Sequence, residues 1–86
     1  METETIKAFL DEDGKVKVWP SKRAKQLAVL EYLAHSFEAG RDYTEKEVNA
    51  ILMAAHTFGD FFLLRRELVE AKELRRTIDG ARYWRE

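Results

Sequence analysis

Leu74-Arg75-Arg76-Thr77-Ile78-Asp79-Gly80-Ala81-Arg82-Tyr83-Trp84-Arg85 has the form of a β-hairpin joined at Asp79-Gly80. A two-residue type I′ turn needs positive φ at both central positions, which Gly adopts freely and Asp tolerates. That turn sets Ile78 opposite Ala81, Thr77 opposite Arg82, Arg76 opposite Tyr83 and Arg75 opposite Trp84. One face then carries Leu74, Arg76, Ile78, Ala81, Tyr83 and Arg85, the better core candidate; the other carries Arg75, Thr77, Arg82 and Trp84.

Upstream of the hairpin the spacing of apolar residues is helical. Phe61, Leu64, Leu68 and Ala71 form one stripe, widened by Phe62 and Val69, so a helix capped by either Thr57 or Asp60, with Asp60 preferred, runs to about Lys72. Thr44-Glu45-Lys46-Glu47 is a capping box with Tyr43 and Val48 placed as its staple. It opens a helix from Glu45 to about His56, with Val48, Ile51, Leu52 and Ala55 inward. A first helix is expected from Ser21, its N-cap, to Phe37, with Ala24, Leu27, Leu30, Ala34 and Phe37 inward and Gly40 beyond its end. Lys15-Val16-Lys17-Val18-Trp19 alternates as a half-buried strand with both valines on one face, and Pro20 ends it. Before it, Asp11-Glu12-Asp13-Gly14 is an acidic turn, and Ile6–Leu10 is a short helix. The expected fold is α+β: a small winged-helix-like domain of three helices and a C-terminal hairpin over residues 21–86. Residues 1–20 form an arm and short strand that fold with it.

Composition narrows the function. The 86 residues leave room for one core, and 45% hydrophobic with 36% charged residues is ordinary for a folded soluble domain. The chain has no cysteine, which removes disulfides and thiolate chemistry and fits a reducing cytoplasm. The amino terminus has no basic region followed by an apolar core, and no apolar run is long enough to span a bilayer, so export and membrane insertion are not expected. A net charge of −1 is poor for a free-standing nucleic-acid binder. The charge is segregated, however: residues 15–25 hold Lys15, Lys17, Lys22, Arg23 and Lys25 without an acid, while residues 1–14 hold five acids and one lysine.

The candidate sites follow from that segregation. Ser21, Lys22, Arg23 and Lys25 crowd the start of the first helix, where the dipole disfavours cations by about 0.3–1 kcal/mol each, so the cluster suits phosphate. The ordinary alternative is a solvated face paired with Asp11–Asp13. On the third helix the outward arc holds Leu63, Arg66, Glu67, Glu70 and Glu73, too acidic to read bases well. Arg66 is a candidate phosphate contact that would otherwise pair with Glu70, and Arg65 is expected to be an enclosed structural arginine. Arg75 and Arg82 sit beside Trp84 on the hairpin and would touch a nucleic-acid backbone; alternatively Arg75 stacks on Trp84 and Arg76 on Tyr83. Phe62, Leu63 and Trp84 are candidate protein contacts. His35 and His56 each fall in the last turn of a helix and are expected to bond its terminal carbonyls. No spacing of catalytic, metal-binding or phosphate-loop residues occurs, so the chain is expected to be no enzyme and to need no metal or cofactor.

Trp19-Pro20-Ser21-Lys22-Arg23, the run Phe37-Glu38-Ala39-Gly40-Arg41-Asp42-Tyr43-Thr44-Glu45-Lys46-Glu47-Val48-Asn49, Leu64-Arg65-Arg66-Glu67-Leu68-Val69 and the closing Gly80-Ala81-Arg82-Tyr83-Trp84-Arg85 together resemble a small bacterial family, domain of unknown function 2087. The resemblance covers nearly the whole chain from about Phe9. It implies a regulatory context, since members occur alone or appended to helix-turn-helix transcriptional regulators, and it supplies no catalytic residues. The expected function is therefore a cytoplasmic, transcription-related regulatory domain with weak phosphate-backbone binding. The alternative is a non-catalytic protein–protein interaction or dimerisation module. The corresponding partners are DNA, a transcriptional regulator or a second copy, and no membrane.

Overall fold

A computed structural model describes residues 3–86, with side chains from Ile6 onward. After a 3-10 helix at Thr3–Phe9 come α1 (Arg23–Ala34), β1 (Asp42–Tyr43), α2 (Glu45–Ala55), α3 (Phe61–Glu70), β2 (Arg75–Arg76) and β3 (Tyr83–Trp84). The strands form one antiparallel sheet in the order β1-β3-β2, so the last strand lies in the middle. The domain is thus a small α+β fold of three α-helices and a three-stranded sheet. Its core joins Val29, Leu30 and Leu33 of α1 to Val48 and Leu52 of α2, Leu64 and Leu68 of α3, and Tyr43, Leu74 and Tyr83 from the sheet region. Ile6 and Val16, from the arm, are fully buried in the same cluster.

Two of the three predicted N-caps form as expected. Thr44 Oγ1 accepts from the Glu47 amide at 3.1 Å while Glu47 Oε1 accepts from the Thr44 amide at 2.9 Å. Asp60 Oδ1 accepts from the Leu63 amide at 3.1 Å and starts α3. The acidic turn also forms: the Gly14 amide donates to the Asp11 carbonyl, with Gly14 at φ +80°. The hairpin register is as derived, Arg75 opposite Trp84 and Arg76 opposite Tyr83.

Four expectations need correction. The strand over Lys15–Trp19 shrinks to bridges at Val16. The Val16 amide donates to the Ala55 carbonyl and its carbonyl accepts from the Thr57 amide, both at 2.9 Å, and Leu10 bridges its other side. No ladder continues past it, so strand alternation does not hold: Val18 is 47% exposed and Trp19 packs on the core instead.

The first helix starts at Arg23, not after a Ser21 cap. Lys22 is its N-cap, with extended backbone and no side-chain hydrogen bond. The buried face is also rotated, with Ala24 and Leu27 exposed and Val29, Leu30, Leu33 and Ala34 inside. Phe37 reaches the core from beyond the helix, because the amides of His35, Ser36 and Phe37 each bond three residues back and tighten the exit into 3-10 geometry.

At the hairpin tip only Gly80 has positive φ, +74°, so the turn is not type I′. The Gly80 amide donates to the Thr77 carbonyl at 3.0 Å, and Asp79 turns its carboxylate onto the Thr77 hydroxyl and the Ala81 amide. This four-residue loop, Ile78–Ala81, is held by its own side chains. Consequently Ile78 is wholly exposed rather than on the core face, Arg76 and Ala81 are exposed too, and Leu74 and Tyr83 alone of that face are buried.

Finally, α3 stops at Glu70, and Phe62 is 56% exposed instead of widening the core stripe. The Glu73 amide bonds the Leu68 carbonyl and the Lys72 amide bonds the Val69 carbonyl, a Schellman motif with Lys72 at φ +65°. Lysine there adopts a conformation that costs L-residues about 1–2 kcal/mol. Lys72→Gly is therefore expected to raise stability by about 0.5–1 kcal/mol, after its larger unfolded-state entropy, in urea unfolding.

Candidate nucleic-acid interface

The cationic start of α1 is open. No acid lies in its first turn and no side chain caps it. Ser21 and Lys22 are exposed, and Lys25 is half-buried along the helix. Arg23 does not pair with Asp11–Asp13. Its Nη1 donates to Glu67 Oε1 of α3 at 2.9 Å and to Gln26 Oε1 at 3.0 Å, so it ties α1 to α3. Gln26 in turn donates to the Pro20 carbonyl at 2.8 Å and fixes the approach of the chain to the helix.

On α3, Arg66 is exposed and forms no ion pair among the described residues, Glu70 included. Arg65 is the enclosed structural arginine expected of it: it pairs with Glu45 at 3.1 Å, bonds the Asn49 side chain and lies over the Phe62 ring at 5.2 Å. Phe62 thus stands exposed beside half-buried Leu63.

Arg75 lies on one row across the sheet, Asp42–Trp84–Arg75, and Arg82 lies two residues before Trp84; both are exposed. Each has a carboxylate: Arg82 Nη1 lies 3.1 Å from Asp42 Oδ2, and Arg75 Nη2 lies 3.2 Å from Glu86 Oε1. Trp84 is half-buried between them. The expected stacking of Arg76 on Tyr83 is present at 5.8 Å, and the same guanidinium closes on the Thr77 and Ile78 carbonyls. Arg75 goes to Glu86 rather than stacking on Trp84. The Thr77 hydroxyl and the Ala81 amide hold the Asp79 carboxyl below its ordinary pKa.

Both histidines bond helix carbonyls through Nδ1, His35 to Glu31 at 2.9 Å and His56 to Leu52 at 2.6 Å. His56 does more, because its Nε2 accepts from the Asp60 amide at 2.9 Å. Among the described residues no group of His, Asp or Glu side chains is arranged to hold a metal ion. Every buried side-chain nitrogen and oxygen there has a partner.

The sequence gives the cations of this surface but not the carboxylates that answer them. Glu67 lies 44 residues from Arg23, and Asp42, on β1, lies 40 residues from Arg82. What results is a cation-bearing helix start without a side-chain cap and a hairpin whose arginines are engaged in exposed pairs. Such pairs are worth about 0–1 kcal/mol, so an incoming phosphate competes for them at little cost.

No helix among the described residues is long and apolar enough to cross a membrane. A family model described as an uncharacterized protein conserved in bacteria, DUF2087, matches residues 15–85. No curated protein and no solved structure matches the chain.

Proposed function

The chain belongs to the bacterial family DUF2087, and from that premise we propose that it is a transcription-related regulatory domain making weak contacts with nucleic-acid phosphates. The observation that carries the reading is the start of α1, where Lys22 stands as N-cap with no capping side chain and no acid in the turn that follows. Free amides, the positive end of the dipole and the Ser21, Lys22 and Lys25 side chains there all favour an anion. Arg23, Arg66, Arg75 and Arg82 extend the contact once Arg23, Arg75 and Arg82 exchange their carboxylates for phosphate. The winged-helix-like order of helices and hairpin is the analogy behind the choice of DNA. The carboxylates of Glu67 and Glu70 on α3, with Glu73 just beyond its end, oppose base reading by that helix, so binding is of backbone and not of sequence.

Anisotropy of a labelled random-sequence duplex tests it. Dissociation constants of about 1–100 µM at physiological salt are expected, falling as salt is lowered, and Lys22→Ala/Lys25→Ala is expected to lower the salt slope by up to about two. No binding at low salt with about 100 µM protein overturns the reading. The exposure of Phe62 beside Leu63 favours the second reading, a protein-interaction or dimerisation module that would also use Trp84. A solution mass that rises with concentration and returns to the monomer in Phe62→Ser would support that reading.

A further inference from the structure

Away from that surface, the segment that follows α1, β1, one face of α2 and Arg85 border an open hollow of about 670 Å³. This is within the range of small-molecule sites, about 300–1,000 Å³. Its floor is apolar: Phe37 meets Tyr43 edge-to-face at 5.3 Å, with Ile51 beside them. Its wall is stitched in place. The Tyr43 hydroxyl accepts from the Glu38 amide at 2.7 Å, the Gly40 amide donates to the Arg85 carbonyl at 2.8 Å, and Arg85 Nη1 donates to the Phe37 carbonyl at 3.1 Å.

Four charged side chains line the hollow, Glu38, Arg41, Glu47 and Arg85. Ion pairs among the described residues are Arg23–Glu67, Arg65–Glu45, Arg75–Glu86 and Arg82–Asp42, and none uses any of these four. Arg41 lies over the Tyr43 ring at 4.6 Å with the edge of its guanidinium open. Arg85 spends one N–H on Phe37, and Glu47 spends Oε1 on the Thr44 amide. Two cations and two carboxylates therefore line the hollow without pairing with one another. A ligand with a single charge would gain from one pair and be repelled by the other, whereas a zwitterion with an apolar body answers both.

We propose that this hollow binds an α-amino acid with an apolar side chain, its carboxylate on Arg41 and Arg85, its ammonium group on Glu38 and Glu47, and its side chain over Phe37, Tyr43 and Ile51. Titrating the ¹⁵N-labelled full chain with L-phenylalanine tests it, beside 3-phenylpropionate, which lacks the ammonium, and phenethylamine, which lacks the carboxylate. Saturable shifts at the amides of residues 36–41, 47–51 and 85 are expected for L-phenylalanine below about 10 mM. Each singly charged analogue is expected to bind about tenfold more weakly. Arg41→Gln, an exposed position whose folding the same spectra report, is expected to remove most of the advantage of L-phenylalanine over phenethylamine. No saturable shift with L-phenylalanine, or equal binding of either analogue, overturns the proposal.

Discussion

Replacing His56 with alanine is expected to cost about 3 kcal/mol of unfolding free energy, measured by urea denaturation. The imidazole is 5% exposed and joins two helices, giving its Nδ1 proton to the Leu52 carbonyl and accepting the Asp60 amide proton at Nε2. Its ring meets Phe58 edge-on at 4.6 Å. Immediately beside it, Val16 is threaded between Ala55 and Thr57. Alanine removes the packed ring and leaves the Asp60 amide without its acceptor at the residue that caps α3. In a domain of this size that is a large part of a total of about 5–15 kcal/mol. His56→Gln, which keeps a polar side chain able to reach one of the two partners, is expected to fall between the two. A loss below about 1 kcal/mol for His56→Ala would show that the junction of α2, Val16 and α3 holds without the ring.

Ile6→Ala is expected to cost about 2–5 kcal/mol, and to do so in the global transition. Residues 1–14 carry five acids. Ile6 is nevertheless fully buried, and the 3-10 helix that bears it packs on α1. The chain then turns at Asp11–Gly14, where the Tyr32 hydroxyl donates to the Gly14 carbonyl at 2.7 Å, and returns through Val16 into the core. If the arm belongs to the same cooperative unit, the urea midpoint falls and amide exchange quickens throughout α1 and α3. Faster exchange confined to residues 3–17, with the midpoint unmoved, would show instead that the arm frays alone.

Much of the local chemistry was legible in the sequence where its partners lie within a turn or two, although the Ser21 cap was not formed. The Thr44 box, the Asp60 cap, the histidine–carbonyl bonds and the pairing of Arg75 with Trp84 all depend on residues close along the chain. Long-range partners were not. The inward face of α1 turns on whether Leu27 or Val29 points into the core, and both fit a helical stripe. β1 exists because Asp42 and Tyr43 find Trp84 and Tyr83 across the domain; two residues carry no strand signal of their own. For the same reason the cations of the candidate interface could be read and their carboxylates could not. The Asp79-Gly80 pair signalled a turn correctly, while its geometry was decided by the Thr77 hydroxyl, a competitor that composition does not rank.

The sheet has a further consequence for behaviour at high concentration. With β3 in the centre, both of its edges are strands of only two residues, Asp42–Tyr43 and Arg75–Arg76. Each edge bears charge, and the carboxylates of Asp42 and Glu86 hold the flanking arginines across the outer face. Another chain would find almost no backbone on which to add a strand, and would have to bury charge to use it. The hairpin that closes the fold is thus also its guard against edge-to-edge fibre growth.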